Sequence, residues 1–123
     1  MLRITARIAD EWNTWGDLTM AKDRTERFLR ACDAVGRDPS TVHRSVQALT
    51  FLTDDADRAA KLRENALPER TLVGSANEMV DTMHQYAAMG FDEFIVPDFT
   101  MGRDPSERRE GFERFAAEVA AAV

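Results

Sequence analysis

A disulfide framework is excluded from the outset, because the 123 residues contain one cysteine, Cys32. No run of about 18 apolar residues is present, so nothing reads as a membrane-crossing helix. The opening MLRITARIAD lacks the apolar centre and small-residue cleavage site of a signal peptide, and a cytoplasmic location is the expectation. Basic residues are in the minority: Lys and Arg number 16 against 22 Asp and Glu, a formal charge of -6 with the two signs interspersed. A nucleic-acid partner is not expected, since phosphates need a basic face, and an anionic membrane surface would repel the chain. There is no glycine-rich phosphate loop and no nucleophile elbow. Neither His43 nor His84 has Cys, Asp or Glu at ligand spacing on a common helix face, so no metal site is expected.

What remains is a profile of 44% hydrophobic and 31% charged residues, that of a soluble globular chain about the size of one domain, 1–123. Helical periodicity runs from Leu2 to about Asp10 without an N-terminal cap. It returns from about Met20 to Val35, with Ala21, Thr25, Phe28, Leu29, Cys32 and Val35 on one stripe ending at Gly36. Cys32 reads there as a small buried hydrophobe with no basic neighbour apparent. A weaker helix spans about Asp55 to Asn65. Ser75 and Glu78 are spaced as a capping box ahead of Met79, Val80, Met83, Tyr86 and Ala87, and Gly90 stops that helix. A last helix opens at Asp104, Pro105 and Glu107 and buries Phe112, Phe115, Ala116 and Val119.

Strands are expected between the helices. Glu11 to Asn13 is a short candidate, Ser45 to Leu52 is rich in β-branched and aromatic residues, and Phe94-Ile95-Val96 is the continuous apolar run of a strand covered on both faces. Thr71 to Val73 is an optional fourth. Alternation of this kind predicts an α/β architecture of parallel strands with right-handed crossovers. Ligands meet such sheets at the carboxyl ends of the strands, here Asn13 to Trp15, Thr53 to Asp54 and Pro97 to Phe99.

Those ends hold the candidate site residues. Both tryptophans, Trp12 and Trp15, flank Asn13 in ADEWNTWG, and an indole wall beside a carboxamide suits a flat, polar-edged ligand. The competing reading puts Trp12 in the core and Trp15 over a helix end. Asp98, directly after the last strand, is the candidate acid, base or hydrogen-bond acceptor, although a strand-ending Pro-Asp is also an ordinary turn. Gly74-Ser75 before a helix can hold an anion, but the Glu78 partner makes the serine a cap. Asp54-Asp55 is explained by the dipole of the helix it opens.

Taken in order, LRITARIADEWN, a helix ending CDAVGRDPSTVHRS, a strand, and LVGSANEMVDTMHQYAAMGFDEFIV resemble the C-terminal part of the luciferase-like monooxygenase family, particularly its deazaflavin-dependent branch. The resemblance covers Leu2 to about Val96. It implies an eight-stranded (β/α) TIM-type barrel that binds FMN or a deazaflavin coenzyme and carries out hydride transfer or monooxygenation at the carboxyl end of the strands. It also implies that this chain is a partial barrel, about the last three strands with flanking helices, lacking an upstream glycine-rich turn that helps to hold the cofactor phosphate. Trp12, Asn13 and Trp15 would then line the cofactor or substrate pocket.

Three parallel strands leave unpaired edges and a face with no opposite wall. The expectation is therefore association, with further copies as a homo-oligomer or with a missing N-terminal half, and two copies closing eight strands only if Thr71 to Val73 counts as a fourth strand in each. Two functions follow: part of a flavin- or deazaflavin-dependent oxidoreductase, not catalytically complete alone, or a non-catalytic barrel remnant that serves as an oligomerising or binding module with its tryptophans in an interface.

Overall fold

The computed structural model describes residues 1–123. Five helices and five strands follow one another in chain order: α1 (Leu2–Ile8), β1 (Glu11–Trp15), α2 (Leu18–Asp33), β2 (His43–Gln47), β3 (Leu49–Leu52), α3 (Ala56–Asn65), β4 (Thr71–Gly74), α4 (Ala76–Ala88), β5 (Glu93–Ile95) and α5 (Pro105–Glu118). Every strand pairing is parallel. The architecture is α/β, as the alternation of periods predicts.

Local chemistry sets the helix boundaries. Asp17, Asp55 and Asp104 accept hydrogen bonds from the first-turn amides of α2, α3 and α5. At α4 the full capping box forms: Ser75 Oγ accepts from Glu78 N–H, and Glu78 Oε2 accepts from Ser75 N–H at 2.7 Å. The chain leaves α2 and α4 through Gly36 and Gly90, at φ +68° and +86°, a conformation that a side chain strains.

The backbone bond to Ser75 is the main reason that the Glu78 carboxyl lies below its ordinary range. Its folded pKa is below its unfolded one, so its contribution is complete above the ordinary carboxylate range and disappears as pH falls through the depressed value. In urea unfolding measured across the acid range, Glu78→Gln should therefore flatten the loss of stability on acidification. Ser75→Ala should cost about 1 kcal/mol at neutral pH, and an unchanged acid limb in Glu78→Gln would show that another carboxylate sets it.

The stretch read as one strand, Ser45 to Leu52, begins at His43 and divides at Ala48 into β2 and β3. The three-stranded sheet has the order β1-β2-β5, and β3 pairs with β4 separately. Hydrogen-bond direction joins the two. His43 N–H donates to Asp10 O, Gly16 N–H to Gln47 O and Thr53 N–H to Gly74 O, so odd-numbered residues on both sides of Ala48 bond toward β1 or β4. Asp92 N–H donates to Arg44 O, which puts β5 on the even-numbered side. Strand β4 thus takes over the edge that β1 leaves, and Asp17 N–H donating to Glu69 O marks the handover. Across its width the sheet has three strands.

Side chains alternate with the same period. Trp12, Thr14, Val46, Ala48 and Thr50 are buried under the helices, whereas Glu11, Asn13, Trp15, Ser45, Gln47, Leu49, Phe51, Val73 and Ile95 point the other way, and none of these is buried. Helices cover one face and nothing covers the other. The expectation that Phe94-Ile95-Val96 is enclosed on both faces is corrected accordingly: all three are half-buried. On the covered side α2 packs between α1 and α4, and Phe115 and Val119 of the α5 end meet Met83 and Tyr86 of α4 across an apolar cleft. As end helices, α1 and α5 keep part of their apolar surface in solvent. Phe115 and Val119 are buried, but Phe112 is 38% exposed, Ala116 is exposed, and Ile4 and Ile8 of α1 stand free.

Candidate functional site

The two tryptophans lie on opposite faces of the same sheet. Trp12 is buried in the core, stacked on Phe28 with ring centres 4.5 Å apart and on Phe91 at 6.2 Å. This is the core reading of Trp12, and it takes that indole away from any wall shared with Asn13. Trp15 belongs to β1 and not to a loop; it points to the open face, half-buried.

Beside Trp15 the open face is polar. Asn13 Nδ2 donates to Ser45 Oγ at 2.8 Å on the neighbouring strand, so β1 and β2 position the pair through their register Asn13↔Ser45. Gln47 is the register partner of Trp15. That hydrogen bond orients the Asn13 carboxamide and leaves its carbonyl oxygen without a partner, and Gln47 puts a second carboxamide on the strand beside the indole. Sequence reasoning missed Ser45 and Gln47, although the odd-even alternation of SVQALTFL places both on the side opposite Val46. At the amino ends of the strands the same face turns acidic, with Glu11 on β1 and His43 Nε2 3.2 Å from Glu93 Oε2.

Asp98 opens a 3-10 turn, Asp98–Thr100, separated from the end of β5 by Val96 and Pro97. It is exposed and faces Arg108 at 3.5 Å. The turn borders a cleft of about 860 Å³ at the carboxyl end of β3, between α3 and α5, with Phe51, Phe99, Arg58, Arg103, Arg108 and Arg114 among its walls. Three of these four arginines are neutralised by carboxylates, and Arg58 alone has no ion pair. Arg103 is paired with Glu107, Arg108 with Asp98, and Arg114 with Asp54 and Glu118, while Glu110 adds another negative charge to the lining.

Four other features are absorbed by structure. Glu78 occupies the amide that Gly74-Ser75 would offer an anion. Cys32 is wholly buried, and burial raises its thiol above the ordinary range even though Arg37 and Arg44 act in the opposite direction; basic neighbours are present, contrary to the sequence reading, and desolvation outweighs them. Arg44 itself lies between Phe28 and Phe91, its guanidinium carbon 5.9 and 5.8 Å from the ring centres. Tyr86 donates its hydroxyl proton to Gly16 O at 2.8 Å, tying α4 to the end of β1. Burial, with Asp17 adding to it, raises the phenol's pKa, so the group remains a donor. No helix is long and apolar enough to cross a membrane.

No protein-family model matches the sequence, and no curated protein matches it. Solved structures do match in fold. The coenzyme F420 dependent tetrahydromethanopterin reductase from Methanopyrus kandleri superposes with a TM-score of 0.73 at 11% identity, over 98% of this chain and 47% of that one. An F420-dependent secondary alcohol dehydrogenase in complex with an F420-acetone adduct gives 0.69 at 16% identity, over 99% of this chain and 46% of the other. The likeness is one of fold, and the chain spans about half the length of the structures it matches. It is a partial (β/α) TIM-type barrel.

Proposed function

We propose that the chain forms the carboxyl-terminal part of a deazaflavin-dependent oxidoreductase barrel of the luciferase-like type, and that its open face is one wall of the cofactor site. The observation that carries this reading is the juxtaposition of Trp15, Asn13 and Gln47 on the uncovered side of a half-barrel. A deazaflavin is planar and edged with carbonyl and N–H groups. An indole face and two carboxamides, each offering a donor and an acceptor, match that shape and polarity without requiring a charge. Both fold neighbours are described as F420-dependent, which favours a deazaflavin over FMN.

Such a cofactor, when bound, supplies hydride transfer; the protein supplies position and electrostatics. Ser45 fixes the rotamer of Asn13 through their hydrogen bond, so the amide meets the ligand pre-oriented. Trp15 and Gln47 act from adjacent strands and shield one side of the plane from water. Asp98 is the candidate to hold or deliver a proton at its carboxylate, which faces Arg108 at 3.5 Å. One wall does not make a complete catalyst, and stand-alone turnover is not part of the proposal.

The test is titration of the chain with a deazaflavin and with FMN, followed by cofactor fluorescence. Saturable deazaflavin binding below about a millimolar is expected. Asn13→Ala should weaken it roughly tenfold, the worth of one hydrogen bond of about 1.4 kcal/mol. Equal affinity in Asn13→Ala, or no binding of either cofactor, would remove the assignment and favour a non-catalytic binding module. The uncovered face and the exposed residues of α1 and α5 are what support that second reading.

A further inference from the structure

The apolar cleft between α4 and the end of α5 is separate from the candidate cofactor wall. Phe94, one of its lining residues, is the register partner of the buried Val46 and so lies on the helix-covered side, whereas the next pair, Gln47↔Ile95, faces the open side. The cleft holds about 270 Å³, the small end of ligand sites. Nine of its eleven lining residues are apolar, and the other two are both carboxylates, Asp92 and Glu93. No Lys, Arg or His lines it.

The walls are aromatic and meet at a corner. Tyr86 packs edge to face on Phe91, at 6.0 Å and 86°, and nearly parallel to Phe94, at 5.6 Å and 22°. The Tyr86 hydroxyl is committed to Gly16 O, so the ring offers the cleft its carbon surface alone. Arg44 lies against Phe91 at 5.8 Å but outside the lining. At the rim, Asp92 commits one carboxylate oxygen: its Oδ2 accepts from Arg44 N–H at 2.8 Å and is 3.7 Å from His43 Nδ1, while Oδ1 has no partner. Glu93 also faces His43, and neither carboxylate is paired with a Lys or Arg.

From this we infer that the cleft binds an organic ammonium ion carrying an aryl or short alkyl arm, with the arm among Met83, Phe94 and Phe115 and the ammonium at Asp92 Oδ1. Apolar walls by themselves accept any arm of suitable size. The carboxylates choose the head group: they repel an anion, and only a cation gains both a charge-assisted hydrogen bond and attraction to the aromatic faces. The site is independent of the deazaflavin assignment, because the sheet lies between them.

The test titrates the full chain at about pH 8, above the ordinary histidine range, so that His43 does not compete for the carboxylates. Three molecules share a phenyl arm and differ in charge: phenethylammonium, phenethyl alcohol and phenylacetate. Methyl NMR signals of Met83 and Val119 report the cleft, and the Trp15 indole N–H reports the open face. Phenethylammonium should move the cleft methyls saturably, with half-saturation below about 5 mM, the alcohol should bind about fivefold more weakly, and phenylacetate more weakly still. Asp92→Asn keeps an acceptor for the Arg44 N–H; it should bring the ammonium down to the affinity of the alcohol and leave the alcohol unchanged. Equal affinity of ammonium and alcohol in the parent, or an unchanged ammonium affinity in Asp92→Asn, would overturn recognition by charge. Cleft methyls that stay in place at about 20 mM phenethylammonium, or shifts confined to Trp15, would overturn the site itself.

Discussion

Trp12→Ala should lower stability by about 3–5 kcal/mol, the range for deleting a large aromatic from a packed core, and the midpoint of thermal unfolding by on the order of 10–20 °C. The reason lies in what the indole touches. Its ring is nearly parallel to Phe28, at 6° between planes, and it also stacks on Phe91, so one side chain joins β1 to α2 and to the turn that leads into β5. The void would be bordered by Arg44, whose buried Nη1 has no hydrogen-bond partner and whose guanidinium is stabilised by those same two phenylalanine rings. Movement of Phe28 or Phe91 into the gap would weaken that cation–π contact as well. Trp12→Phe, which keeps most of the stack, should cost much less. Calorimetry on the two variants separates the cases, and a Trp12→Ala midpoint within a few degrees of the parent would mean that the stack is not a centre of stability.

Gly111→Ala is expected to destabilise, against the usual sign. In a helix interior glycine to alanine ordinarily gains about 0.5–1 kcal/mol. At this position in α5 the added methyl would overlap the Met101 carbonyl oxygen, a backbone atom. The segment behind that carbonyl has little room to retreat: Met101 is buried, and Gly102 lies against the backbone of Glu107 and Arg108. A net loss of about 1–3 kcal/mol is expected, together with displacement of the Asp98–Thr100 turn and so of Asp98 itself. Urea unfolding gives the sign directly. Glu113→Ala, at an exposed position of the same helix, is the comparison and should fall within about 0.5 kcal/mol of the parent. A stabilised Gly111→Ala would show that the turn yields freely.

What was legible beforehand was mostly local. Ser75 with Glu78, Asp104 before Pro105, and the stops at Gly36 and Gly90 are interactions over three or four residues, and each forms at the expected place. Misreadings came where a second layer decides. Phe94-Ile95-Val96 looks enclosed because an apolar run says nothing about whether an opposite wall exists. Phe112 and Ala116 share a stripe with Phe115, but α5 is an end helix and covers only part of that stripe. The division at Ala48 has no glycine or proline to announce it; it arises because β1 ends at Trp15 and β4 begins at Thr71 on the same edge. Residue type alone singles out Asn13 and Trp15, and the structure puts both on the uncovered face of β1. Ser45 and Gln47 are not singled out in this way, because their relation to β1 is a matter of register, set over some thirty residues of intervening chain.

The separation of the two indoles gives the molecule two optical reporters with different subjects. Trp12, stacked and enclosed, emits from an apolar environment until the core opens, so its emission follows the folding equilibrium. Trp15 emits from the uncovered face, and its spectrum depends on what lies above it: water, another polypeptide, or a conjugated ring able to accept its excitation energy. With no third tryptophan in the chain, replacing either one by phenylalanine leaves a single-channel probe, and folding and face occupancy become separately readable by light.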